Sequence, residues 1–212
     1  RLLSWLPGAP VSQGAPLTVN LLRNVAAFQA RLARGLRGFF HPDARHFVAW
    51  DLQRALLLDP GVQAWVAADA KALLADFEAR VQRDVLPRLP DLRAQVVHSD
   101  GHADNLLRAG PDSAAISGVI DFGDMVHAPL VQDLAVTLAS FARHGEMSLD
   151  NAVAQVEAWN AVLPLMDDEL EILHDLTLLR RELSSLTPGV TLSGVGITAA
   201  YRTTNPTPAA FF

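Results

Sequence analysis

Residues 98–124 read His98-Ser-Asp-Gly-His-Ala-Asp-Asn-Leu-Leu-Arg-Ala-Gly-Pro-Asp-Ser-Ala-Ala-Ile-Ser-Gly-Val-Ile-Asp-Phe-Gly-Asp124. Two His, two Asp and an Asn fall within the eight residues from His98 to Asn105. Short apolar runs surround them: Ala94-Gln-Val-Val97 before, then Asn105-Leu-Leu-Arg108 and Ala115-Ile-Ser-Gly-Val-Ile-Asp121. Gly110-Pro-Asp112 between the last two is a turn signal, so these runs are expected to form an antiparallel hairpin. Asn105 begins its first strand and Asp121 ends its second, so antiparallel pairing brings the two side by side. An amide oxygen and a carboxylate at one end of a hairpin make a hard, oxygen-only site. Such a site suits Mg²⁺, which keeps several waters and takes only one or two protein carboxylates. Asp100, on the loop just before, is within reach of a proton on a bound hydroxyl.

Helical periodicity flanks this centre. Leu21, Val25, Phe28, Leu32 and Leu36 recur at helical spacing with arginines between them, predicting an amphipathic helix that ends near Gly38. A short helix is expected from Trp50 to Leu58, and a long one from about Val62 to Val85. After Pro129, helices are expected over Leu130–Arg143, about Leu149–Val162, and Asp168–Leu186. The last has a stripe of Leu170, Leu173, Leu176, Leu179 and Leu183, and Asp168 followed by Glu171 has capping-box spacing. The opening run Arg1-Leu-Leu-Ser-Trp-Leu6 reads as a lone strand before a Pro7-Gly-Ala-Pro10 turn, with its sheet partner expected upstream. The fold class is therefore α+β, mostly helical, in one domain with a small central β element.

Composition narrows the function. At 212 residues, 50% hydrophobic and 19% charged, the chain can bury a real core, and disorder is excluded. The net charge of −6, with no basic cluster, argues against a nucleic-acid partner. The absence of Cys removes disulfides, thiol nucleophiles and Cys-ligated zinc, and suits a reducing, cytoplasmic setting. No apolar run approaches the roughly 20 residues that span a bilayer, and no signal peptide stands at the start. The chain opens at Arg1 rather than Met, so upstream residues are expected to be missing.

His98-Ser-Asp100 with Asn105-Leu-Leu, followed by Gly118-Val-Ile-Asp121-Phe-Gly-Asp124, resembles the catalytic and metal-binding motifs of the aminoglycoside phosphotransferase and choline kinase superfamily. These are small-molecule kinases of protein-kinase-like fold. His41-Pro42, Trp50-Asp51-Leu52 and Asp121-Phe-Gly-Asp-Met-Val-His127 resemble its hydroxylysine-kinase-like branch. The resemblance covers about residues 1–205 as the C-terminal lobe alone, with Arg1-Leu-Leu-Ser-Trp-Leu-Pro-Gly8 at the join between lobes. It implies Asp100 as the catalytic base, and Asn105 and Asp121 as ligands of Mg²⁺ and its nucleotide, ATP or GTP. It adds Asp124 as a further metal-site candidate, and Asp133 as a tie holding the catalytic loop from the next helix. His98 is expected to be structural. Ser99 stands where the family usually has Gly or another small residue.

The implied partners are a small-molecule hydroxyl acceptor, amino-acid-like or an amino alcohol, and an N-terminal nucleotide lobe not contained in residues 1–212. A fused pyridoxal-phosphate aminotransferase is left open. The one Lys, Lys71, lies in a predicted helix and cannot be the phosphate-binding strand lysine of such a lobe. For the acceptor, Asp104 and Glu182 offer carboxylates to a cationic group, and Arg181 or Arg202 a guanidinium to a carboxylate. Two other functions compete. His98, Asp100 and His102 at alternate positions could serve a metal-dependent hydrolase, with His127 and Asp121 completing the set. Alternatively, the chain is a non-catalytic, truncated lobe.

Overall fold

The computed structural model describes residues 4–14, 16–48, 50–57, 75–142 and 148–186. The long α1 (Val19–Gly35) opens the helical body, with the Thr18 hydroxyl accepting from the Leu21 amide at 3.2 Å as its N-cap. Its buried face is Leu21, Leu22, Val25, Ala26, Gln29, Ala30 and Ala33; the expected Phe28 and Leu32 are only partly covered. Small residues let α1 lie close to its neighbours. The strands are β1 (Ala9–Pro10), β2 (Ala94–Val97), β3 (Leu106–Arg108), β4 (Ile116–Val119) and β5 (Val126–Pro129). The helices α2 (Val131–Ala142), α3 (Leu149–Asn160) and α4 (Asp167–Leu186) follow. α1 packs mainly on α3, and α2 on α4.

The hairpin forms as expected. β3 and β4 are antiparallel, with Leu106 opposite Val119 and Leu107 opposite Gly118, and a bulge before Arg108. The opening strand is displaced, however. Residues 4–7 are irregular, and β1 falls on the expected turn, pairing Ala9 with Arg108 and Pro10 with Leu107. As an edge strand it tolerates Pro10. Gly8, at φ +140°, allows the approach, since a Cβ there would meet the Arg108 carbonyl oxygen at 2.7 Å. A second two-stranded sheet joins β2 to β5, with Val97 opposite Val126. The sequence reading did not predict β5, whose four residues Val-His-Ala-Pro end on a residue that donates no backbone bond.

Other expectations shift. The segment after Trp50 is a 3₁₀ helix over Leu52–Leu57. Of the expected helix from Val62, the part before residue 75 lies outside the described residues. The remainder is helical over residues 75–80, opens into a π turn at Val81–Val85 and tightens to 3₁₀ over Leu86–Asp91. Pro87 and Pro90 lack amide hydrogens and forbid a regular ladder there. The capping at the start of α4 lies two residues earlier than Asp168 and Glu171 predict. Glu169 accepts from the Met166 amide at 2.9 Å, while Glu171 reaches Arg88 at 2.6 Å. Glu169 is fully buried and also takes two bonds from Arg93, clamping the start of β2 to α4. The tail from Pro188 lies outside the described residues. Among those residues no helix is long and apolar enough to cross a membrane.

Two apolar clusters form the core. The larger gathers Ala30, Leu52, Val85, Val97, Val126, Leu134, Trp159, Ile172 and Leu176 among others. The smaller holds Val11, Leu21, Leu22, Val25, Ala103, Leu106, Val119 and Phe141. The loop from His98 to Asn105 runs from one to the other. Gly101 at its middle lies against α1, and its carbonyl accepts from buried Gln29 at 3.2 Å. A Cβ on Gly101 would stand 1.5 Å from the Gln29 amide nitrogen, so that bond and a fully buried side chain must both give way. Gly101→Ala is expected to destabilise the protein by about 1–3 kcal/mol, the range for overfilling a packed site. Urea denaturation measures it, and Gln29→Ala in the same chain should relieve part of the loss.

Candidate active site

The loop is hung from α2. Asp133, in the first turn of that helix and 1% exposed, accepts the Ser99 amide at 2.8 Å and the His98 amide at 3.2 Å, one on each oxygen. Burial pushes the Asp133 carboxyl above the ordinary carboxylate range, and the two amides and the nearby His98 pull it partly back. The resemblance assigned Asp133 this tie, and the structure bears it out. Ser99 has φ +67°, a left-handed conformation that explains the preference for Gly there. Its hydroxyl also accepts from Gln132 at 3.0 Å.

His98 is spent on the loop. Its Nδ1 accepts from the Asp100 amide at 3.4 Å, which puts the ring proton on Nε2, and Nε2 donates to the Ile120 carbonyl at 3.1 Å. Phe122 packs on it edge-on, with ring centres 5.0 Å apart. With both nitrogens engaged, His98 cannot join Asp100 and His102 in the metal cluster of a hydrolase. Among the described residues no three His, Cys, Asp or Glu side chains gather as a metal-holding group.

Asp100 is 8% exposed and meets three donors. Its Oδ1 accepts from Arg180 at 2.8 Å; its Oδ2 accepts from Asn105 Nδ2 at 3.0 Å and lies 3.3 Å from His102 Nε2. Burial pushes its carboxyl up. The His102 hydrogen bond, with the electrostatic pull of His102, Arg180 and, least, His98, outweighs that and holds it below its usual value. Asn105 also donates to the Asp100 carbonyl at 2.9 Å. Its two amide hydrogens therefore turn toward Asp100, and its oxygen remains an acceptor for a cation.

The hairpin register puts Asn105 opposite Ile120, whose amide donates to the Asn105 carbonyl at 2.9 Å, so Asp121 lies one residue beyond the expected pairing. Asp121 compensates with φ +63°, which turns the chain out of β4 into the short 3₁₀ turn Phe122–Asp124. Its Oδ1 accepts from the Gly123 amide at 3.3 Å. Asp124 Oδ2 accepts from Trp50 Nε1 at 2.8 Å. Burial, with Asp100 and Asp121 nearby, raises the Asp124 carboxyl, against the opposing pull of Trp50 and Arg180. Asp124 thus lies with two further carboxylates, those of Asp100 and Asp121, nearby. With the Asn105 oxygen, that donor set fits Mg²⁺ better than an imidazole-loving metal.

The substrate candidates scatter. Asp104 is exposed and takes the Ser12 hydroxyl. Glu182 faces Glu78 on the helical residues 75–80, and Arg202 lies outside the described residues. The sequence reading offered Arg181 or Arg202 to a carboxylate on the acceptor and gave no role to Arg180, whose guanidinium bonds Asp100. His102, weighed only as a ligand in the hydrolase reading, touches Asp100, and Trp50, which had no site role, touches Asp124.

This architecture is that of protein-kinase-like phosphotransferases, a helical lobe with a hairpin carrying its acidic residues. Residues 1–167 match the model of the phosphotransferase enzyme family, and the chain belongs to that family. A protein of Danio rerio named hydroxylysine kinase is 29% identical over 187 residues, covering 85% of this chain and 52% of its own length. A Rhizobium rhizogenes protein named homoserine kinase is 26% identical, covering 84% of this chain and 56% of its own. The solved structure of a microcompartment-associated aminopropanol kinase superposes with a TM-score of 0.66 at 21% identity, over 88% of this chain and 58% of that one. The chain thus spans about half the length of the curated relatives it matches.

Two outcomes follow from this geometry. Asp133→Ala strands the buried amides of His98 and Ser99, at about 1–3 kcal/mol each, and is expected to lower stability in urea by about 2–5 kcal/mol. Glu182 carries a carboxyl raised from 4.5 to about 8, by burial first and then by Glu78. Its protonated form is the one that fits, so its contribution is complete below pH 4.5 and is lost as pH rises to about 8. Glu182→Gln should therefore melt higher than the unsubstituted protein at pH 9, by roughly 2 kcal/mol in stability, with the gap closing toward pH 5.

Proposed function

We propose that this chain is the acceptor- and metal-holding lobe of a small-molecule kinase. The whole protein transfers the γ-phosphoryl group of ATP or GTP to the hydroxyl of an amino-acid-like or amino-alcohol acceptor. The observation that carries the reading is the Asp100–Asn105 pair. One side chain is an ionised, nearly buried base, and the other is an amide turned so that its oxygen is left for a metal. Asn105, Asp121 and Asp124 would hold Mg²⁺, which when bound neutralises the phosphate charge. The names of the relatives support the acceptor class, since hydroxylysine and homoserine are both hydroxyl-bearing amino acids.

In the reaction the acceptor's O–H faces Asp100. The new bond forms between the acceptor oxygen and the γ-phosphorus, and the bond from that phosphorus to the bridging oxygen breaks. The hydroxyl proton passes to Asp100, and the nucleoside diphosphate leaves. Catalysis of this kind is positioning and electrostatics, which is why the base is held by three donors rather than left mobile. A nucleotide-covering lobe from outside residues 1–212 completes the site in this reading, in keeping with relatives about twice as long.

The test is nucleotide consumption with Mg²⁺ by the full-length protein, using ATP and GTP against hydroxy amino acids and amino alcohols. Acceptor-dependent release is expected, with Asp100→Asn lowering kcat by about 10²–10⁴-fold. Residues 1–212 alone are expected to turn over poorly. Release that survives Asp100→Asn at full rate removes the base from the mechanism.

A further inference from the structure

The kinase reading uses Asp100, Asn105, Asp121 and Asp124 and gives no task to Arg180 or Trp50. Both are built against those residues. Arg180, on α4, bonds Asp100 Oδ1 at 2.8 Å, and the side chains of the pair are only 8% and 11% exposed. Its guanidinium carbon lies 5.8 Å from the centre of the Trp50 ring, within cation–π range. Trp50 in turn donates to Asp124. Trp50 is itself fixed by its neighbours. Asp51 is buried and caps the Leu52–Leu57 turn through the Gln53 amide, and Gln53 also reaches the His127 carbonyl at 3.1 Å. A continuous chain Asp100–Arg180–Trp50–Asp124 therefore joins the catalytic loop, α4, the segment at residue 50 and the turn after β4.

A carboxylate has about four acceptor positions. The protein fills three on Asp100: Asn105 and His102 on Oδ2, Arg180 on Oδ1. The fourth, on Oδ1, lies beside the Arg180 bond. Asn105 and His102 alone leave the carboxylate free to tilt about its Oδ2; the Arg180 bond to the other oxygen fixes its plane. We propose that Arg180 is a positioning residue for phosphoryl transfer, with Trp50 as its support. It sets the Oδ1 lone pair that receives the acceptor hydroxyl, and through Trp50 it keeps Asp124 in register with that base. The inference rests on the kinase reading above.

The test compares Arg180→Lys, Arg180→Gln, Arg180→Met and Trp50→Phe in the full-length protein. Steady-state kinetics, Mg²⁺ activation and melting temperature are read on each. A misplaced base costs kcat rather than nucleotide binding, so Arg180→Met is expected to lose about 100-fold in kcat, with nucleotide KM within about twofold. Arg180→Lys and Arg180→Gln can still donate to Oδ1 and should each recover about tenfold of that loss, whatever their melting temperatures. Trp50→Phe keeps the ring face but loses the bond to Asp124, so it should raise the Mg²⁺ needed for half-maximal rate. A folded Arg180→Met with kcat within twofold of the parent overturns the proposal. So do Lys and Gln variants whose kcat follows melting temperature alone, a comparison that stands even if Arg180→Met fails to fold. An unsubstituted protein silent with every acceptor overturns the kinase reading and this inference together. An active parent with indifferent Arg180 variants overturns this inference only.

Discussion

A single buried carboxylate sets the geometry on which the site depends. Asp133 takes the amides of His98 and Ser99 on its two oxygens, and neither amide has water to turn to. Charge-assisted bonds of this kind contribute about 1.5–3 kcal/mol each, enough to outweigh the ~1–2 kcal/mol that an L-residue such as Ser99 costs in the left-handed region. That conformation reverses the chain after β2. It sends the Asp100 amide onto His98 Nδ1 and the Asp100 side chain toward Asn105. Remove the anchor and Ser99 has a reason to relax into extended backbone, which would carry Asp100 off its donors.

The hairpin was legible because its signals are local: two short apolar runs separated by a Gly-Pro-Asp turn. The four long helices were legible within a few residues at each end, α1 and α4 from their apolar stripes. What escaped was non-local. β5 is four residues ending in Pro and becomes a strand only because β2 lies beside it. β1 forms on a stretch that reads as a turn, since Gly8 permits contact with Arg108, about a hundred positions away in sequence. The π turn at Val81–Val85 follows from two prolines downstream, not from its own residues. The capping of α4 slipped for a related reason. Three acids in a row, Asp167, Asp168 and Glu169, offer equivalent local choices, and Arg93 selects Glu169, the buried one.

The one-residue offset in the hairpin is instructive. Spacing alone put Asp121 directly beside Asn105, whereas the ladder ends with Asn105 bonded to Ile120. A strand continued in regular extension would send Asp121 and Asp124 away from the loop. The left-handed turn at Asp121, tolerable for Asp, folds the chain back instead and brings Asp124 under Trp50. Asp121 and Asp124 are thus placed by backbone reversal rather than by strand pairing. Sequence spacing gives the order of these residues but not the backbone turn that places them.

Arg180 shows where a stronger reading was available. On α4 the buried positions Leu173, Leu176, Arg180 and Leu183 follow the spacing of a single helical face. A guanidinium on such a face must meet an anion inside the protein, because burying it unpaired costs several kcal/mol. The anion has to come from another segment that is itself internal. Among the acids between the strands, Asp100 is the one on a loop flanked by buried residues on both sides. Five leucines give α4 its stripe in the sequence, and Arg180 is buried among them. A charge at a core position of a helix is a question about its partner. Here the partner is Asp100, which ties α4, a helix with no motif of its own, to the loop that carries the motif.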